Sequence, residues 1–199
     1  MKHCKFISTI LIIITAFVAL NLYTNNCVEA ATIQTGDVNR DGVINIADAT
    51  LIQKYLSGIK TDKEFYSQYA DFDRSGKINV ADATLIQKYC IGTICVYGDY
   101  LISVNNGTAA IYKYFGSNNR ITIPSKLYGN SYEITSISSN AFYNNKNLVI
   151  VNLPENIKTI ENYAFYNCSE LTTIYSYNKN LRWGNSFVNC PKFQSIKFK

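Results

Sequence analysis

Histidine is all but missing from this chain. Its one copy, His3, lies in a leading segment that reads as removable. The remaining residues therefore cannot form a Ser-His-Asp or Cys-His catalytic set, nor a histidine-containing zinc site. Runs of lysine or arginine are lacking too. Residues 96–199 carry 10 Lys/Arg against 5 Asp/Glu, scattered singly, whereas nucleic-acid binding wants a clustered basic stripe. That excess reads as solubility charge, and no nucleic-acid partner is expected. A retained membrane helix needs about 20 apolar residues, but the leading apolar run, residues 10–22, breaks at Tyr23-Thr24-Asn25-Asn26.

That run follows Lys2 and Lys5 and leads to Val28-Glu29-Ala30, small residues suited to cleavage before Ala31. Residues 1–30 have the form of a secretory signal peptide. Cys27 lacks the small-residue context of a lipoprotein acceptor, so removal rather than anchoring is expected, with no membrane span afterwards. The remainder is long enough for two small domains. Four cysteines survive: Cys90, Cys95, Cys168 and Cys190. Secretion permits disulfides, but these spacings match no metal site, so structural burial or pairing is expected.

What is present begins with two twelve-residue stretches, Asp37 to Asp48 and Asp71 to Asp82, 34 residues apart. Both have the form of a calcium loop, with oxygen-bearing side chains at positions 1, 3, 5, 9 and 12 and glycine at position 6. Ca²⁺ takes six to eight oxygens, which such a loop supplies in order as it wraps the ion; the glycine permits the sharp turn. In the first loop the ligands would be Asp37, Asn39, Asp41, the Val43 carbonyl, Asn45 (directly or through water) and Asp48. In the second they would be Asp71, Asp73, Ser75, the Lys77 carbonyl, Asn79 and Asp82. Two calcium ions are expected. Aspartate rather than glutamate at position 12 is one methylene shorter, so the following helix must sit closer to the ion.

The same nine residues close both stretches, Ala47 to Tyr55 and Ala81 to Tyr89. Leu51, Ile52, Tyr55 and Leu56 fall on one helical face, repeated by Leu85, Ile86 and Tyr89. Thr61-Asp62-Lys63-Glu64 reads as a capping box between the units. No helical run precedes Asp37, so each unit is a loop plus one exiting helix. Taken alone, Ile46 and Val80 read as core, and Gln53-Lys54 with Gln87-Lys88 as solvated faces.

Duplicated Asp-x-Asn-x-Asp-Gly type loops, each followed by an Ala-x-Leu-Ile-Gln-Lys-Tyr type helix, resemble a type I dockerin over roughly residues 36–94. The resemblance implies a calcium-loaded module that docks onto the cohesin domain of a scaffolding protein in a cellulosome. It also implies partner contacts at Ile46, Ala47, Gln53 and Lys54 and at their mates Val80, Ala81, Gln87 and Lys88. The near-identity of the halves implies a pseudo-twofold surface, which a partner could engage in either of two orientations.

From Tyr97 a different period begins. Ala141-Phe142-Tyr143-Asn144 recurs as Ala164-Phe165-Tyr166-Asn167, while Ile134, Ile137, Leu148 and Val151 shift onto Ile157, Ile160, Leu171 and Ile174. A further, degraded step reaches Phe187, Asn189, Cys190, Phe193 and Ile196. Periods of 20–29 residues with short apolar strands mean a leucine-rich solenoid, whose units stack into one continuous core. The phrase Ile157-x-x-Ile160-x-x-x-Ala164-Phe165-x-x-Cys168-x-x-Leu171, preceded by Leu153-Pro154, resembles the BspA-like class of leucine-rich repeats. That class implies binding functions, including adhesion, with no residue roles to carry over. Ile121 to Pro124 reads as an earlier irregular unit, and Tyr100 to Phe115 as a capping hairpin.

The tyrosines Tyr112, Tyr114, Tyr128, Tyr132, Tyr143, Tyr166, Tyr175 and Tyr177 read either as packing or as a glycan-stacking surface. Asn106-Gly107-Thr108 and Asn167-Cys168-Ser169 satisfy a glycosylation sequon that carries little weight here. Glycoside hydrolysis needs two facing carboxylates; Glu133 and Glu155 occupy roughly equivalent turns, a weak coincidence.

The expectation is a multidomain chain: signal peptide 1–30, a small all-α calcium-binding dockerin 31–95, and a β-rich leucine-rich-repeat solenoid 96–199. Its expected function is that of a secreted, non-catalytic, scaffold- or cell-surface-associated component of polysaccharide degradation, with a glycan or protein ligand for the repeats. The alternatives are a free adhesin with a calcium-stiffened spacer, or an unrecognised carbohydrate-active enzyme.

Overall fold

The computed structural model describes residues 35–60, 65–127 and 132–199. The expected signal peptide, the Thr61–Glu64 capping box and Tyr128 lie outside the described residues.

Two helices build the first module, α1 (Ile46–Leu56) and α2 (Val80–Cys90). Each starts at an asparagine cap, Asn45 or Asn79, whose side chain accepts from the helix's first amides. The aspartate at the third helical position, Asp48 or Asp82, accepts from the cap's own amide in return. This reciprocal pair satisfies donors that a helix start otherwise leaves orphaned. Each helix closes near a left-handed glycine, Gly58 at φ +68° and Gly92 at φ +73°. Ala49, Leu51 and Ile52 of α1 and Ala83, Leu85 and Ile86 of α2 are buried in one core with Val38, Ala70 and Phe72.

Tyr55 and Leu56, expected on that face, stand 49% and 43% exposed. A pair of helices covers one narrow stripe on each, and the last turn of α1 stays wet. Tyr55 instead lies flat on Phe65 at 4.3 Å.

The rest of the described chain is β structure. β1 (Ile94–Tyr97), β2 (Tyr100–Asn105) and β3 (Thr108–Tyr114) form an antiparallel meander. β3 then pairs in parallel with β6 (Tyr132–Ile137), and the sheet continues through β8 (Thr159–Ile160) to β10 (Arg182–Trp183). The two-residue β5 (Lys126–Leu127) pairs antiparallel with β6. A second sheet is wholly parallel: β4 (Arg120–Thr122), β7 (Ile150–Leu153), β9 (Thr173–Ser176) and β11 (Ser195–Phe198). The chain alternates between the two sheets turn by turn, which is the expected solenoid.

Its core is a set of stacked rungs. Ile121, Val151, Ile174 and Ile196 align across the second sheet, and Ile111, Ile137 and Ile160 across the first. The rings of Tyr114, Phe142, Phe165 and Phe187 stack in a column with centroids 5.2, 4.6 and 5.5 Å apart. None of the four described cysteines is in a disulfide. The Cys168 and Cys190 thiols occupy equivalent places and donate to the Phe142 and Phe165 carbonyls at 3.0 and 2.9 Å. Burial pushes the Cys168 thiol up to about 12, so it acts as an inert packing group.

The meander belongs to both halves of the molecule. Ile94 and Leu101 are buried in the helical core, while their neighbours Cys95 and Ile102 are buried in the solenoid core. Alternation along a strand puts successive side chains on opposite faces, so one plate serves two cores. The expected boundary between residues 95 and 96 falls inside β1.

Replacing Phe165 by alanine should cost about 3–5 kcal/mol of solenoid stability, read by denaturant unfolding. A loss below about 1 kcal/mol would show that the ring column is not the core.

Candidate calcium loops and docking surface

Each loop is organised around its last residue. Asp48 is fully buried. Its Oδ1 accepts from the Val38 and Asn39 amides at 2.8 and 3.2 Å, and its Oδ2 from Asn45 at 2.8 Å. Asp82, equally buried, accepts from the Asp73 and Asn79 amides at 3.1 and 2.8 Å. One carboxylate thus ties the start of the loop to the start of the helix. At position 1, Asp37 takes the Asp41 and Gly42 amides at 3.1 and 3.0 Å, and Asp71 takes the Ser75 and Gly76 amides at 2.9 and 2.7 Å.

The glycines at position 6, Gly42 and Gly76, sit at φ +89° and +85° with open space where a Cβ would stand. Conformation, not room, demands glycine there. Arg40 and Arg74, at position 4, also adopt positive φ, 57° and 49°.

A divalent cation fits this donor set. Asp71, Asp73 and Asp82 each bring a carboxylate oxygen within 4.8 Å of the others, and the further candidates are hydroxyl, amide or carbonyl oxygens, the donors a hard cation takes. Asn39 and Asp41 bond each other at 2.8 Å within the first loop, and Asn45 and Asn79 reach the Val43 and Lys77 carbonyls at 3.1 and 3.2 Å. Ser75 Oγ also reaches the Lys77 carbonyl, at 3.2 Å. In the second loop three of the expected ligands, Asp71, Asp73 and Asp82, lie together; in the first, hydrogen bonds link Asn39 to Asp41 and Asn45 to Val43.

Burial raises the Asp48 carboxyl above the ordinary aspartate range, against the pull of the Asn45, Asn39 and Val38 amides, with the Asp37 charge adding to the rise. Asp82 is likewise raised, first by burial and then by Asp73 and Asp71, against its two amide donors. A cation relieves both causes, because it neutralises the charge that burial penalises and screens the acids from one another.

The expected partner residues lie across the helices' outer side. Ile46 and Val80 are 57% and 64% exposed, so neither is core. Gln53, Lys54, Ala81 and Lys88 are exposed, whereas Ala47 and Gln87 are half-buried. Contacts between the modules have no counterpart in the motif analysis. Lys113 Nζ lies 3.5 Å from Asp73 Oδ2, the Arg74 guanidinium 4.8 Å over the Phe115 ring, and Lys88 Nζ 6.0 Å over Tyr112. No periodic signal announces such pairs. The duplicated arginine at position 4 was visible in the loops, but its left-handed backbone was not.

On the solenoid, Glu133 lies on β6 and Glu155 just beyond β7 in the other sheet, both exposed. Glu161 accepts from the Ser139 amide, and Glu170 pairs with Lys192 at 2.6 Å. The tyrosines divide. Tyr114 is buried in the ring column, Tyr143 stacks on Tyr166 at 5.4 Å, and Lys199 lies over Tyr175 and Tyr177.

A duplicated loop-helix module seated on an antiparallel meander, which leads into a two-sheet solenoid, defines a calcium-loop domain joined to a leucine-rich solenoid. Residues 35–90 match the Dockerin type I domain, and residues 108–199 match the BspA type Leucine rich repeat region in six copies. The chain is a dockerin type I module followed by BspA-type leucine-rich repeats. Dockerin type I domains are calcium-binding, and both are non-catalytic module types.

Similar solved structures include a leucine rich cell surface protein from Faecalibacterium prausnitzii (27% identity, TM-score 0.45) and a T. pallidum leucine rich repeat protein (24%, 0.46). The matches cover 53% and 51% of this chain but 32% and 48% of those chains. No curated protein matches the chain. No helix among the described residues is long and apolar enough to cross a membrane.

Chelation should unfold residues 36–94 and leave the solenoid folded, seen as loss of helical circular dichroism. Asp48→Ala with Asp82→Ala should do the same in saturating calcium; an unchanged calcium-dependent melt in that double variant would refute the ligand set. The pH dependence has a definite sign. Carboxyls raised in the folded state bind protons more readily there than when unfolded, so the metal-free module should gain stability as pH falls into the carboxylate range. Calcium affinity should fall over the same range, because the ligands must be deprotonated; calorimetric titrations at several pH values check it.

Proposed function

We propose that this protein is a secreted, non-catalytic cellulosome-type component working in the context of polysaccharide degradation. Residues 1–30 direct secretion, residues 31–95 dock onto a scaffold-borne cohesin, and residues 96–199 present a binding surface to a glycan or protein. Two calcium ions hold the docking module in shape, one on Asp37, Asn39, Asp41, the Val43 carbonyl, Asn45 and Asp48. The other sits on Asp71, Asp73, Ser75, the Lys77 carbonyl, Asn79 and Asp82. Ile46, Ala47, Gln53 and Lys54, with their mates Val80, Ala81, Gln87 and Lys88, form the surface a cohesin reads.

The observation that carries this reading is the pair of large aliphatic side chains left open at loop position 10. Ile46 and Val80 stand more than half exposed at the starts of helices that each bury one apolar stripe, Ala49, Leu51 and Ile52 or Ala83, Leu85 and Ile86. An exposed aliphatic residue is ordinary by itself; two at equivalent places beside Gln-Lys pairs suit an interface with an apolar centre and a polar rim. For the solenoid, support comes from the row Thr122, Asn152, Tyr175 and Lys197, which runs in register across all four strands of the second sheet. Parallel rows of mixed polar and aromatic side chains suit extended ligands.

The test is capture of the mature protein on a panel of cohesin domains, in millimolar Ca²⁺ and again in chelator. Calcium-dependent capture by one cohesin is expected. Absence of capture in both buffers, with the module folded, would leave a free adhesin.

A further inference from the structure

The internal duplication makes the dockerin two quasi-equivalent halves, yet the rest of the chain treats them differently. In the second half, Asp73, Arg74 and Lys88 meet Lys113, Phe115 and Tyr112 in turn. These three residues belong to β3 or directly follow it. Of their counterparts in the first half, Asn39 bonds Asp41 inside its own loop and Arg40 lies over Tyr66 and Tyr69 of its own module. Gln53 is exposed whereas Gln87 is half-buried.

The contacts are anchored, not incidental. Ile94 and Leu101 of the meander are buried in the helical core, and Val96, Tyr112 and Phe115 pack against it. Apolar seating of this kind persists where a surface ion pair would not. Beside Lys88 a groove runs between the modules, walled by Thr93, Ser103, Asn105, Tyr112 and Glu161. Val80, Ala81 and Lys88 are exposed, but Lys88 also lines this groove against the repeat domain. Lys54 and Lys88 are both exposed, but the tyrosine that follows is 49% exposed in α1 (Tyr55) and half-buried in α2 (Tyr89).

We propose that the repeat domain takes the second half of the dockerin as its own seat, leaving Ile46, Ala47, Gln53 and Lys54 as the docking face for a cohesin. The two surfaces made equivalent by duplication are thereby reduced to one, and a single orientation of the bound partner is set. This rests on the docking reading above and adds which half is used.

The experiment is a hydrogen-exchange footprint of the full mature chain, free and bound to a cohesin from the panel, in saturating calcium. Exchange should slow about tenfold or more across residues 46–54 on binding, with no added protection over residues 80–88; protection of that size reports opening events suppressed by the partner. Added protection on α2, alone or shared with α1, overturns the proposal and leaves docking intact. Capture that protects neither helix, or no capture by any cohesin, overturns the docking reading and this proposal with it. As a second measurement, Gln53→Ala with Lys54→Ala should weaken capture by about tenfold, the scale of an interface hot spot. In a Tyr112→Ala/Phe115→Ala background, which frees the second half, that loss should shrink; an equal loss in both backgrounds overturns the claim that the meander closes it.

Discussion

The fold of the first module depends on two buried carboxylates. Asp48 and Asp82 each receive backbone amides from the beginning of their loop and from the cap of the following helix. A polar twelve-residue loop has no apolar core of its own to hold a shape against chain entropy. Charge-assisted bonds to one central acid supply that hold, and a bound cation offsets the cost of burying it. The direction in which α1 and α2 leave their loops follows from this tie. On that direction rests the packing of Leu51 and Ile52 with Leu85 and Ile86.

The core so formed is not closed by the dockerin alone. Leu101 and Ile94 complete it from the meander, while Ile102 and Cys95, on the opposite face of the same strands, begin the solenoid core. A single three-stranded plate therefore ends one domain and starts the next. Such a shared plate leaves little room for independent tumbling, and it explains the unequal surroundings of two near-identical halves. The asymmetry comes from a neighbour and not from the duplicated unit.

Beyond the plate, stability propagates by repetition. Each turn adds one strand to each sheet, one ring to the phenylalanine column and one inward isoleucine or valine per rung, so every turn covers the apolar face of the one before. Side-chain hydrogen bonds follow the same pitch: the Cys168, Ser186 and Cys190 side chains each donate to a backbone carbonyl one turn back. The outward rows inherit this register and present polar and aromatic groups at regular spacing, as a binding surface requires.

Much of this is legible in the chain itself. The two glycines at position 6, both helices and the solenoid period all rest on local chemistry or on repetition. A carboxylate, an amide turn or an apolar rung declares itself by its spacing to its own neighbours. The exposure of Tyr55 and Leu56 was misjudged because helical periodicity says which residues share a face, not how much of that face a small partner covers. Nor does spacing decide whether Ile46 and Val80 are core or surface, or that Cys168 and Cys190 spend their thiols on carbonyls. The sequence by itself determined the two modules and the residues that build each. Only the tertiary structure decided how they meet, placing Lys113 at Asp73 and Phe115 beneath Arg74, because the seating of one surface on another depends on three-dimensional complementarity that no one-dimensional period records.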